Sequence, residues 1–478
     1  MSAGPLVTAP PERAVVPALP DQPLGERVDV DAALQALTSA PAAPVVPPRP
    51  TFVDRLARLA AGGYLVLLLA AVVFYKAVFY EALVLSPLLG AYGLVVAGYI
   101  VSRFSLSLFY RPARDVGLEP RVAIVMPGFN EQEAIASSLR SLLALEYPQA
   151  KLEIVAVNDG STDGTLAEMR RVQREAGGRV QVIDLGENQG KRAAMAAGIR
   201  STSAEIVAFV DSDSVVEPDA LRILVQGFAD RRVGAICGHA DVLNVDETWL
   251  TKMQAVRYFV AFKVVKAAES LFSAVTCCSG CFSAYRREAI LPHLDWWEHQ
   301  SFLGRPSTFG DDRSLTNCVL RSWKVRYEAR AVSHTLVPSG LRQFMTQQLR
   351  WKRSWTRESL IVARFIWRKN PIAALSTYVS IVLTLVAPFV AVRAALLMPL
   401  LAGGAIPVIY ILGVYAGAVA YGLYYTTRKK HYDGLWIYGV AFCFFYVLFM
   451  WQTYWAIFTS RSASWGTRPA TAGMEVQS

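Results

Sequence analysis

The sequence predicts a mainly parallel α/β domain inserted between transmembrane helices, with amphipathic helices at the membrane surface joining the two parts. Three observations predict it. Hydrophobic residues make up 53% of the 478-residue chain and charged residues only 18%, a more apolar balance than a soluble domain carries. Apolar runs long enough to cross a bilayer stand on both sides of the central sequence. Between them, short β-branched runs alternate with helical segments, the pattern of a parallel sheet covered by helices on both faces.

Taken in order, residues 1–52 are rich in Pro, Ala and Val without helical or strand period and read as a disordered tail. The tail lacks the charged start, apolar core and cleavage site of a secretory signal. Residues 53–110 hold two apolar runs, 59–75 and 83–101, each able to span a hydrocarbon core of about 30 Å, the first only just. Arg55 and Arg58 precede the first run, and Arg103, Arg111 and Arg114 follow the second. The positive-inside rule therefore puts the N-terminus and all that follows the hairpin in the cytosol, with Lys76 and Glu81 in the outer connection.

Residues 111–338 form the expected catalytic domain, with strands at 122–126, 152–157, 180–185 and 205–210 and helices at 131–145 and 164–175. In such sheets ligands bind at the carboxyl ends of the strands. Residues 339–370 interleave Trp351, Trp355, Phe365 and Trp367 with Arg342, Arg350, Lys352, Arg353, Arg357, Arg364 and Arg368. They read as interfacial helices, aromatic side in lipid and basic side toward phosphates; an amphipathic helix on a soluble core would look the same. Apolar runs return at 372–392, 406–424 and 435–458 within a membrane region of residues 371–460, and Arg428, Lys429 and Lys430 belong inside. A fifth full crossing would put the final segment, 461–478, outside the cell. Either the last run does not cross fully or the tail is external. The charge of +10 fits positive cytosolic loops or a polyanionic ligand. The six cysteines lack the spacing of a disulfide framework and read as reduced thiols.

Each strand ends in chemically useful residues. Asp159, in Asn158-Asp159-Gly160-Ser161, can accept hydrogen bonds from a base or ribose, although Asp-Gly-Ser is also a common turn before a helix. Asp211 and Asp213, one residue apart after an apolar strand, can face one point and hold Mg²⁺ or Mn²⁺ together with phosphate oxygens. Gly190, Lys191 and Arg192 open a small-residue helix, and a helix N-terminus with two cations suits a diphosphate. Gly310-Asp311-Asp312-Arg313 precedes a helix expected at 314–321. There Asp312 is the candidate base for the proton of an attacking hydroxyl, and Asp311 reads equally well as a helix cap. Gln347, Arg350 and Trp351 share one helix face and offer an amide, a guanidinium and a flat ring.

This ordered set resembles the processive members of glycosyltransferase family 2, which include cellulose, chitin and hyaluronan synthases, over residues 60–470. The resemblance implies a GT-A fold, UDP-sugar donors, a growing polysaccharide acceptor and Mg²⁺ or Mn²⁺. It assigns Asp159 to uridine, Asp211 and Asp213 to diphosphate and metal, Asp312 to the base, and the Gln347-x-x-Arg350-Trp351 signature to acceptor and diphosphate. Gly310 through Asn317, Gln347 through Glu358, and Trp465-Gly466-Thr467-Arg468 are similar to hyaluronan synthases, where the last motif belongs to a gating loop over the nucleotide. That places Trp465 and Arg468 at the nucleotide and the tail in the cytosol. One departure is Ser279-Gly280-Cys281, where those synthases usually carry Ser-Gly-Pro. The implied protein is an inverting, multi-pass plasma-membrane enzyme with a cytosolic catalytic domain and no nucleic-acid partner. Its implied product is hyaluronan from UDP-GlcNAc and UDP-GlcA; a chitin or poly-N-acetylglucosamine synthase is the nearest alternative. An inactive nucleotide-sugar-binding scaffold would show the same fold, whereas a transporter is disfavoured because no apolar run carries an ionisable residue near its middle.

Overall fold

The computed structural model describes residues 51–78, 87–397, 400, 408–428 and 432–461. The expected N-terminal tail, Glu81, the basic pair Lys429 and Lys430, and the candidates Trp465 and Arg468 lie outside the described residues. Two helices come first, α1 (Phe52–Val78) and α2 (Pro87–Leu108). The chain then enters β1 (Val122–Gly128), crosses through α3 (Ile135–Leu143) to β2 (Leu152–Asn158), through α4 (Thr165–Glu175) to β3 (Val180–Asp184), and through α5 (Lys191–Arg200) to β4 (Ile206–Phe209). These four strands are parallel, with β1 between β2 and β4. The strands β5 (Ser214–Val216), β6 (Val233–Val242), β7 (Ser283–Arg286) and β10 (Lys324–Thr335) complete one sheet in the order β3-β2-β1-β4-β7-β6-β10-β5. Four of its seven pairings are parallel; β7 runs antiparallel to both neighbours and β5 antiparallel to β10. A separate two-stranded ribbon joins β8 (Ser301–Phe302) to β9 (Arg305–Pro306).

Period-two alternation sorts the central strands onto two cores. Val122, Ile124 and Met126 of β1, with Ile154, Ala156, Ile206 and Ala208, pack under α3, α4 and α6 (Ala220–Val225). Val125, Val155, Val157, Val207 and Phe209 face the opposite core, which α5 and α8 (Asp311–Leu320) cover. Because β1 is buried along its whole length, each such side chain contributes about 1.5–3 kcal/mol. The sheet is thereby fixed, and its strand ends hold still.

Two helix starts differ from expectation, each for a local reason. The helix after β1 begins at Ile135, not 131, because the backbone N–H groups of Asn130, Glu131 and Gln132 donate to the side chains of Ser161, Thr165 and Asp163. The two strand-end loops are thus tied together instead of one being helical. Conversely, α8 begins at Asp311, not 314, with Gly310 as the residue before it at φ 75°. Both aspartates therefore lie in the first helical turn, and the capping position belongs to the glycine.

After α7 (Trp249–Phe259) and the sheet's last strand, the chain forms α9 (Leu341–Ala363), α10 (Pro371–Val392), α11 (Val408–Arg428), α12 (Trp436–Leu448) and α13 (Gln452–Phe458). Among the described residues two helical stretches are long and apolar enough to cross a membrane, Ala91–Leu108 and Pro371–Val392, and α12 with α13 would make a third span bent by 49°. The last apolar run is thus bent between α12 and α13. Asn370 caps α10 by accepting from the N–H groups of Ile372 and Ala373 at 2.9 and 3.4 Å, ahead of Pro371 at the first helical position. The segment 339–370 is built mainly of one long helix, α9. In α9, Trp351 and Trp355 line a cleft and Arg357 is buried, because the helix is clasped between α8 and α13.

Candidate active site

A cleft of about 900 Å³ opens at the carboxyl ends of β1, β2 and β4 and runs to Thr384 of α10, Tyr446 of α12 and Thr453 of α13. Asp159, Lys191, Asp211, Asp213, Asp312, Gln347, Arg350 and Trp351 all line it, so one cavity gathers residues spread over nearly two hundred positions of sequence. Cys281, at the departure from Ser-Gly-Pro, lines it too.

At the sheet end, Asp159 Oδ1 accepts from the N–H groups of Gln189 and Gly190 at 2.8 and 3.1 Å. It thereby holds the loop that starts α5. Lys191, at the first position of that helix, donates to Asp211 Oδ1 at 2.5 Å and lies 3.4 Å from Asp311 Oδ2. Behind Asp211 the loop 279–281 presses so close that a Cβ on Gly280 would lie 2.7 Å from Asp211 Oδ2. A larger residue there would push the Asp211 carboxylate aside. Asp213 is pushed up to about 6 by burial and by the neighbouring Asp211 charge, against the opposing pull of Lys191. Two carboxylates that resist ionising together attract a cation. Among the described residues no cluster of three or more His, Cys, Asp or Glu could hold a metal. A divalent ion here would draw on one or two carboxylates and on ligand phosphates, which is how Mg²⁺ commonly binds.

Asp312 Oδ1 accepts from the Arg313 N–H at 2.6 Å, and the Cys277 thiol donates to its Oδ2 at 3.4 Å. Burial, then the adjacent Asp311 charge, raises its pKa, whereas Lys191 and Arg192 outweigh burial at Asp311 and lower it. Unequal protonation of adjacent carboxyls is a way to keep one of them basic near neutral pH.

Arg192, grouped with Lys191 for a diphosphate in the sequence reading, points the other way. It is buried and donates to the carbonyls of Trp297 and Phe309 at 2.9 and 3.3 Å and to Gln300 Oε1 at 2.7 Å. From α9, Arg357 reaches the same Phe309 carbonyl at 2.6 Å and pairs with Glu358 at 2.8 Å, both side chains being buried. Glu358 also accepts from Asn317 of α8 at 2.9 Å. This brace seats Gly310-Asp311-Asp312 between two helices, so closely that a Cβ on Gly310 would lie 1.9 Å from Ser354 Oγ. Further along the cleft, Gln347 Oε1 is buried and, among the described residues, has no hydrogen-bond partner.

Sequence reasoning missed Arg257, Lys266, Cys277, Arg313 and Tyr446, all of which line the cleft. No local signal marks them. Of the basic residues of α9, Arg342 is exposed, Arg353 bonds to Thr459 at 3.0 Å and Lys352 faces the cleft.

A family model for glycosyl transferase family 2 matches residues 123–291, the sheet and its acidic loops. Hyaluronan synthase of Streptococcus pyogenes is 37% identical over 297 residues, which span 62% of this chain and 71% of that protein. The chain belongs to glycosyltransferase family 2. N-acetylglucosaminyltransferases of Azorhizobium caulinodans and Rhizobium meliloti are each 37% identical as well, over 55% and 53% of this chain and 65% and 60% of theirs. Among solved structures, a mannosyltransferase from Pyrobaculum calidifontis superposes with a TM-score of 0.54 at 23% identity, covering 74% of this family 2 chain and 98% of its own. The fold is therefore GT-A-like, and the protein is a glycosyltransferase related to polysaccharide synthases.

Proposed function

We propose that this glycosyltransferase is a processive, inverting polysaccharide synthase of the plasma membrane, with its catalytic domain in the cytosol, that joins UDP-GlcNAc and UDP-GlcA into hyaluronan. The observation that carries the reading is the single cleft, which joins the acidic strand ends to α10, α12 and α13. Asp159 holds the nucleotide end, and Lys191, Asp211 and Arg350 hold the diphosphate. Asp312 takes the proton of the acceptor hydroxyl as that oxygen attacks the anomeric carbon from the side opposite the leaving nucleotide, which inverts the centre. Trp351 offers its face to the acceptor sugar and Gln347 Oε1 accepts from it. Mg²⁺ or Mn²⁺ on Asp213, when bound, neutralises charge on the departing diphosphate; the solved structure of the Pyrobaculum mannosyltransferase is a complex with GDP-Man and Mn²⁺. That α2 and α10 are long and apolar enough to span a membrane on either side of the catalytic domain supports this reading.

The similarity to hyaluronan synthase favours an alternating product, and the similarity to N-acetylglucosaminyltransferases favours a homopolymer as the second reading. Purified protein in detergent with Mg²⁺ or Mn²⁺, offered the two UDP-sugars singly and together, separates them. Polymer that requires both donors supports hyaluronan. Polymer from UDP-GlcNAc alone selects the homopolymer, and binding of UDP-sugar without any UDP release leaves only the scaffold.

A further inference from the structure

The end of the cleft beside α12 carries two cations that, among the described residues, pair with no carboxylate. Arg257 of α7 holds its guanidinium over the Trp351 ring, 5.3 Å from the centroid, with Phe442 at 5.7 Å on the same group. Lys352 places its ammonium 5.2 Å from the centroid of Tyr446 and gives one proton to the Phe449 carbonyl at 3.0 Å, where α12 breaks. An ammonium has three protons to give. Both side chains line the cleft together with Trp351 and Tyr446. Burial lowers the pKa of each, and the Arg257 charge lowers Lys352 further, to about 8. Like charges held together out of water are costly unless an anion joins them, and a cation–π contact returns only about 0.5–2 kcal/mol.

The surroundings indicate which anion. A free phosphate has no use for flat rings, whereas a sugar stacks on them and carries any carboxylate of its own to a fixed side. An uncharged chain passing Trp351 and Tyr446 would leave both cations uncompensated. We propose that Arg257 and Lys352 form an anion subsite that receives the carboxylate of a uronic acid unit in the chain leaving the transfer site. This rests on the synthase reading above, and gives it a selectivity filter for product as distinct from donor.

The test uses the full chain in maltoside detergent and two tetrasaccharides of equal length, one alternating GlcNAc with GlcA and one of GlcNAc only, with binding followed by calorimetry. The wild type should hold the charged tetrasaccharide at least tenfold more tightly. Arg257→Gln combined with Lys352→Gln should bring the two within about twofold by weakening the charged ligand alone, and Arg257→Lys should keep part of the preference. Equal affinity of the wild type for both ligands overturns the proposal, as does a preference that survives the double substitution. Inorganic phosphate at matched ionic strength is a further probe; if it displaces the charged tetrasaccharide at equal concentration, the pair belongs to a phosphate and the proposal fails. Polymer from UDP-GlcNAc alone would end both this inference and the hyaluronan reading. Absence of the preference in a protein that needs both donors would end the subsite only.

Discussion

At the sheet end of the cleft Lys191 sits between Asp211 and Asp311, at 2.5 and 3.4 Å, with the carboxylates of Asp213 and Asp312 beside them. At the end beside α12 Arg257 and Lys352 face aromatic rings instead. The first arrangement mixes one cation with an excess of carboxylates, which is the charge that the proposed divalent ion would offset. The second, among the described residues, carries a surplus of positive charge. The difference teaches that one cavity can hold two charge environments, carboxylates around a lysine at one end and cations on aromatic rings at the other, built from separate groups.

The largest way to break that contrast is at the base. Asp312→Asn keeps the shape of the acidic end but removes its proton acceptor, and UDP release should fall by about 10³-fold, within the range general bases contribute, with UDP affinity retained in calorimetry. Unchanged turnover would remove Asp312 from the chemistry. Next, the acidic end relies on the brace behind it. Arg357→Met leaves Glu358 buried and unpaired, a loss of about 3–5 kcal/mol, seen as a lower melting temperature in detergent. Adding Glu358→Gln should restore part of it, and a further decline on that addition would show that the pair is not the cause.

A third prediction probes the bed beneath both ends. His239 of β6 is buried, meets the Tyr327 hydroxyl at 2.8 Å through Nδ1, and stands edge-on to Phe262 of the cleft wall. Burial, with Lys263 adding to it, lowers its pKa from 6.5 to about 4. Folding therefore favours the neutral ring: its contribution is complete above pH 6.5 and is lost as pH falls through about 4, at most about 3 kcal/mol in all. Melting temperature should drop between those values, and His239→Gln should flatten the drop. The smallest effect expected is at Gly280. Its replacement by Ala forces a Cβ against the Asp211 carboxylate, and Mn²⁺-dependent UDP binding should weaken by about tenfold, some 1.4 kcal/mol, with little change in melting temperature. A variant that binds as before would show that Asp211 can move without consequence.

Much of the acidic end was legible because its residues stand where a strand stops. β-branched runs announce the strands, and Asp159, Asp211 and Asp213 follow them directly. Gln347, Arg350 and Trp351 were legible through helical spacing and motif order, although the environment of their helix was not. The expected lipid-facing aromatic stripe is divided in the structure, with Trp351 and Trp355 in the cleft and Trp367 exposed. Arg192 shows the limit most clearly: it adjoins Lys191 in sequence, and one step of helix turns it about 100° away into the brace.

By itself, then, the sequence determined the α/β pattern, the apolar helices on either side of it and the carboxylates at the strand ends, because period, run length and strand termini are local properties of the chain. Only the tertiary structure decided which cations are compensated and which are not. Arg257 and Lys352 stand 95 positions apart in the chain, and their shared surroundings arise from packing α7, α9 and α12 together. Burial and like-charge repulsion depend on that packing and have no signature in any short stretch of sequence.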